Sequence, residues 1–140
     1  MKVLFDTNVF VSYLLRPDKE GTVQEVLEAG FEGKYTILLP QEEIEELKGK
    51  LLTKSYLKKR IPSEALQNFI TALMAIAKNM PSITEPIPRV SRDKKDDYLL
   101  ACAVVGVADY LVSGDRDLQV LKKVGKVAIV SPLEFLGVLK

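Results

Sequence analysis

VLFDTNVFV, residues Val3 to Val11, sets three polar side chains between two apolar runs. The first run, with Lys2, reads as a short strand entering a core; the second, from Asn8 to Leu15, reads as a helix that stops before Arg16-Pro17. This strand-then-helix unit repeats along the chain. An amphipathic helix starting at Thr22 is closed by Gly33. YTILLP (Tyr35 to Pro40) is a second strand, and Pro40 opens a helix carrying QEEIEELKGKLL. Lys54 to Arg60 forms a further helical turn or two. Pro62-Ser63 starts a longer helix with Leu66, Phe69, Ile70, Leu73, Met74 and Ala77 on one face, expected to end near Met80-Pro81. The segment SITEPIP, around Ile83, is expected to hold a short strand. A buried helix from about Lys94 to Val107 precedes the strand DYLVS (Asp109 to Ser113). A short helix near Leu118, the strand VAIVS (Val127 to Ser131) and a last helix opened by Pro132 complete the series.

Parallel neighbours need crossover connections, and here the crossovers are helices, so the expected fold class is α/β: a three-layer α/β/α sandwich around a central parallel sheet of about five strands. With 140 residues, 47% of them hydrophobic and 28% charged, the chain suits one globular domain spanning 1–140. The N-terminus shows no signal peptide, and the longest apolar stretch, Leu99 to Ala108, is too short to cross a bilayer, so a cytoplasmic protein with no membrane partner is expected. The single cysteine, Cys102, lies inside that stretch as a core thiol. There is no histidine, which excludes Ser-His and Cys-His nucleophile pairs and the usual histidine-containing zinc sites.

Polar chemistry therefore falls to carboxylates. In a parallel sheet the loops after the strands gather at one edge, where ligands usually bind. Asp6 follows the first strand directly, Glu46 is about two turns into the helix after YTILLP, Asp97 opens the buried helix, and Asp115 and Asp117 follow DYLVS. Each has a plain alternative reading. Asp6 suits an N-cap, Glu46 a solvated helix face shared with Glu42, Glu43 and Glu45, Asp97 a helix start shared with Asp93 and Asp96, and GDRD a polar turn. Together they put like charges on one edge beside core segments, which destabilises a fold unless a cation or protons neutralise them. Oxygen ligands without imidazole or thiolate suit Mg²⁺ or Mn²⁺, ions that activate water against phosphodiesters.

At these residues the chain resembles the PIN-domain nucleases, and among them the VapC-like toxins of toxin–antitoxin pairs. The family's opening stands here as LFDTNVF; its Glu-Leu corresponds to Glu46-Leu47; its aspartate before an aliphatic-alanine helix is Asp97 in RDKKDDYLLACA; its Thr/Ser-x-Asp-x-Asp is Ser113, Asp115 and Asp117 in LVSGDRDL. The resemblance implies a PIN-like fold and a Mg²⁺- or Mn²⁺-dependent ribonuclease, with Asp6, Glu46, Asp97 and Asp115 catalytic, Asp117 joining them around the metal, and Thr7, Asn8 and Ser113 in support. It also implies a homodimer and a small antitoxin protein. Glu43 lies one turn before Glu46, and Asp96 lies beside Asp97, rotated about 100° around the helix; the family pattern favours Glu46 and Asp97.

From Lys48 to Arg60 the segment KGKLLTKSYLKKR has six basic residues and no acid, with Tyr56 as a stacking group. Lys48, Lys50, Lys54, Arg92 and Arg116 are the candidate RNA contacts, against the plain alternative of a solvated basic face. Two other functions fit parts of the pattern. A haloacid-dehalogenase-like phosphatase also begins with a strand-end aspartate, although Asn8 stands where that family needs a second aspartate. A catalytically inactive PIN fold that binds RNA or protein is the other.

Overall fold

The computed structural model describes residues 1–16 and 20–140; Pro17, expected to bound the first helix, lies outside the described residues. Strand β1 (Lys2–Phe5) turns Val3 and Phe5 to one side and Leu4 to the other, and all three are fully inaccessible. Side chains alternate along a strand, so burial of both sets requires cover on both faces. The parallel strands β2 (Thr36–Pro40) and β4 (Tyr110–Val112) flank β1, with Val3 opposite Ile37 on one side and Tyr110 on the other. The sheet extends through β3 (Lys78–Met80) beyond β2 and through β6 (Val127–Val130) beyond β4, both parallel. Beyond β6, β5 (Lys123–Val124) returns antiparallel, giving the order β3-β2-β1-β4-β6-β5.

The Val3/Phe5 face is covered by α1 (Thr7–Leu15), α2 (Thr22–Phe31), α3 (Gln41–Thr53), α4 (Ser55–Arg60), α5 (Ser63–Ile76) and α8 (Pro132–Leu139). Aromatic rings fill this layer. Phe135 meets Tyr35 edge-on at 5.2 Å between centroids, and Phe10 meets Phe69 at 5.6 Å. The Leu4 face packs Leu38, Leu111 and Ile129 against Leu100, Cys102 and Ala103 of α6 (Lys94–Val105) and Leu118 of α7 (Arg116–Gln119). Three layers result, α/β/α.

Two expectations about the third strand are corrected. It lies at Lys78–Met80, not near Ile83, and α5 ends at Ile76 rather than near Met80. Ala77 is extended (ψ 155°), which releases the next three residues to pair with Leu38, Leu39 and Pro40. Downstream, Pro81, Pro86 and Pro88 lack backbone donors, so that segment has few of the groups a ladder requires. The antiparallel β5 was not anticipated.

Gly106, the residue that caps the end of α6, sits close against Leu38 of the sheet. A Cβ there would stand 2.3 Å from Leu38 Cδ2 and 2.9 Å from the Cys102 carbonyl oxygen. Gly106→Ala should therefore lose about 1–3 kcal/mol of stability in urea unfolding, the usual range for an overpacked core. An unchanged midpoint would show that α6 shifts freely.

Candidate metal and active site

Four chain segments converge above the carboxyl ends of β1, β2 and β4. Asp6 directly follows β1 and caps α1, its Oδ1 accepting the Asn8 N–H at 3.2 Å. Its Oδ2 accepts the hydroxyl of Ser113 at 2.8 Å, and the same Ser113 Oγ accepts the Asp115 N–H at 3.0 Å. A fully buried serine thus links the ends of two adjacent strands and sets Asp6 beside Asp115. Thr7, also buried, donates its hydroxyl to Glu46 Oε2 at 3.1 Å. Asn8 Oδ1 accepts from Lys50 Nζ at 2.7 Å, and that ammonium stands 3.4 Å from Glu46 Oε1.

These groups line a cavity of about 270 Å³. Its walls carry seven acids (Asp6, Glu42, Glu43, Glu46, Asp93, Asp96 and Asp115) and three lysines (Lys50, Lys54 and Lys95), so the formal charge is strongly negative. Glu42 is held by the Tyr98 hydroxyl. Burial raises its pKa, but hydrogen bonds from Ser82 and Tyr98 outweigh this and leave it below the ordinary value.

Glu43 is the least expected member. It is 4% exposed, and neither carboxylate oxygen has a hydrogen-bond partner among the described residues. Burial first, then the charges of Asp6 and Glu46, push its pKa well above the ordinary carboxylate range, with Lys50 opposing. A readable signal existed: Glu43, Leu47 and Leu51 form the buried stripe of α3 at spacings of four, so an acid occupies an apolar position.

The structure also separates the two neighbouring aspartates of α6. Asp96 lines the cavity; burial, then Asp115, Asp93, Asp6 and Asp117, raise its pKa from 3.8 to about 6. Asp97, expected as a catalytic metal ligand, is turned away from the cavity and buried. Its Oδ1 accepts the N–H groups of Val90 (2.9 Å) and Ser91 (2.7 Å), and its Oδ2 accepts Arg89 Nε at 2.8 Å. Burial raises its pKa, but these donors together hold it below the ordinary value. With its oxygens committed to the loop that precedes α6, Asp97 fastens that loop.

Other expected residues lie outside the cavity. Asp117 is exposed on α7, its N–H bonded to Asp115 Oδ1 at 2.9 Å. Lys48 faces a different cleft, with Met74 and Met80. Arg92 and Arg116 are exposed, whereas Lys50 and Lys54 line the cavity.

Among the described residues, no three acids already stand as a ready ligand set. Two observations still suit a hard cation: the unpartnered oxygens of Glu43 and the raised pKa of Asp96 amid other carboxylates.

Residues 2–117 match the family model for the PIN domain. The chain belongs to the PIN-domain family. PIN domains are generally nucleases, which displaces the haloacid-dehalogenase reading. This PIN domain is similar in fold to a chain of the crystal structure of VapBC2 from Rickettsia felis bound to a DNA fragment from their promoter. The TM-score is 0.60 at 14% identity, covering 94% of this chain and 98% of that one. No curated protein matches the sequence. Among the described residues, no helix of the PIN domain is long and apolar enough to cross a membrane.

Proposed function

We propose that this PIN domain is a Mg²⁺- or Mn²⁺-dependent endoribonuclease acting on cytoplasmic RNA. The carrying observation is the acidic cavity at the strand ends, lined by Asp6, Glu46, Asp96, Asp115 and Glu43, whose carboxylate oxygens have no hydrogen-bond partner among the described residues. Asp6 and Asp115, set by Ser113, are the principal ligands; Asp96 replaces Asp97 in that role, and Glu43 and Glu46 supply the remaining oxygens. The chemistry such an ion supplies is activation of water and neutralisation of charge building on a phosphodiester.

The chain's own groups supply positioning. Ser113 and Thr7 each commit a hydroxyl proton to a carboxylate, which fixes Asp6 and Glu46 as acceptors aimed by their other oxygens. Lys50 and Lys54 offset the repulsion that the acids exert on an approaching backbone. Single-stranded or looped RNA is favoured, because an exposed backbone enters a walled cavity more easily than a paired helix does. Water is the nucleophile, so no covalent enzyme intermediate forms.

The likeness to a VapBC2 chain supports a toxin role with a small antitoxin as partner, and the homodimer implied by the resemblance is kept with it. The test is cleavage of structured RNA by the purified full chain with Mg²⁺, Mn²⁺ or EDTA. Metal-dependent cleavage is expected, and cleavage untouched by EDTA would sink the reading. Absence of cleavage under every metal condition would favour the inactive binding module.

A further inference from the structure

The cavity already contains a cation of its own. Lys50 projects from α3 into the acidic wall, and its side chain is only 19% exposed, against 68% for Lys95. Its ammonium contacts Asn8 Oδ1 at 2.7 Å and lies 3.4 Å from Glu46 Oε1, joining α3 to the first turn of α1 across 42 residues. Withdrawing even part of a lysine from water is costly unless its charge is used. Here it stands nearer than Lys95 (4.0 Å) to the same Glu46 oxygen, in a cavity whose acids outnumber its lysines. A metal ion drawing on Glu46 and this ammonium compete for the same oxygen and repel each other, so both cannot sit there together. Lysine is a compact charge on a flexible stem, free to turn elsewhere within the cavity when displaced.

We propose that Lys50 is the phosphate-contacting residue of this site, a tethered counter-ion held by Glu46 and Asn8 until metal displaces it onto a non-bridging oxygen of the bound phosphodiester. This rests on the metal-nuclease reading above. No bond is made or broken by Lys50; only its ion-pair partner changes. The two roles have opposite consequences on removal, which a merely structural lysine would not produce. Without its ammonium the metal loses a competitor, whereas the RNA loses a contact.

The experiment is calorimetric titration of the full chain with Mn²⁺, beside RNA cleavage at saturating Mn²⁺, for wild type, K50Q and K50R. K50Q should bind Mn²⁺ about 3–10-fold more tightly and yet cleave about 10–100-fold less efficiently in kcat/KM, the range for losing a hydrogen bond to a charged group. K50R, which keeps the charge, should bind Mn²⁺ no more tightly than wild type and retain more cleavage than K50Q; it carries the test if K50Q melts early. Unchanged or weaker Mn²⁺ binding by K50Q, or tighter Mn²⁺ binding by K50R, overturns the proposal. So does tighter binding by K50Q with undiminished cleavage. A wild type that neither binds Mn²⁺ nor cleaves removes the nuclease reading itself, an outcome distinct from wild-type turnover that Lys50 does not influence.

Discussion

Asp6→Asn is expected to reduce metal-dependent RNA cleavage by on the order of 10²-fold or more while the protein stays folded. Asparagine is among the best N-cap residues, and its amide oxygen can still accept the Asn8 N–H, so α1 keeps its start. What disappears is the negative charge set by Ser113 beside Asp115. The control is Glu45→Gln, an exposed position on the part of α3 that faces the separate Met74 cleft, where activity should remain near wild type. Turnover numbers and thermal melts of both variants, with and without EDTA, provide the comparison. Equal cleavage by wild type and Asp6→Asn would mean that the carboxylate mechanism is wrong or that a contaminant cleaves.

The second large effect divides two adjacent residues. Asp96→Asn should impair cleavage on the order of 10²-fold by removing a carboxylate of the proposed metal site, yet stabilise the metal-free fold at neutral pH. The folded pKa of Asp96 is raised from 3.8 to about 6, so its favourable contribution is complete below the unfolded value and is lost as pH rises through about 6. Above that, the variant should gain about 1 kcal/mol, a figure already reduced for the solvent that screens this half-exposed group, and the gain should vanish by about pH 4. Asp97→Asn should do the reverse. Its folded pKa is lowered, so its contribution is present above the unfolded value and is lost as pH falls through the folded one. This variant should melt early at neutral pH, approach wild type in acid, and keep its stabilisation by Mn²⁺. Thermal melts at acidic and neutral pH, with and without Mn²⁺, read all of this. An Asp97→Asn protein of wild-type stability that no longer responds to Mn²⁺ would restore Asp97 as a ligand.

The strands at Lys2, Thr36, Tyr110 and Val127 were readable because each is a compact apolar run between helix signals, and burial on both faces leaves no polar alternation to confuse them. The strand Lys78–Met80 was not. Its sequence, Lys-Asn-Met, has little strand character of its own and is extended by pairing with Leu38, Leu39 and Pro40, some forty residues away. At the site, Asp6, Glu46 and Asp115 could be placed from their positions after strands or inside a following helix. Choosing between Asp96 and Asp97 could not be done from spacing. A step of about 100° around α6 separates facing the cavity from facing the loop, and the donors that hold Asp97 come from Arg89, Val90 and Ser91, a stretch with no periodicity. Glu43 is legible through the stripe it shares with Leu47 and Leu51, while the family pattern points to Glu46, and both line the cavity.

The ends of the sheet have a consequence for self-association. At one margin β3 is three residues long and begins with exposed Lys78; at the other, the two-residue β5 begins with exposed Lys123 and runs against its neighbour's direction. Short margins bearing lysine are poor templates for a further strand, because a second copy would have to bring charge against charge for two or three ladder rungs. The central strands, apolar enough to aggregate if laid bare, are thereby fenced on both sides. Edge-to-edge pairing of folded copies through the sheet is disfavoured at both margins.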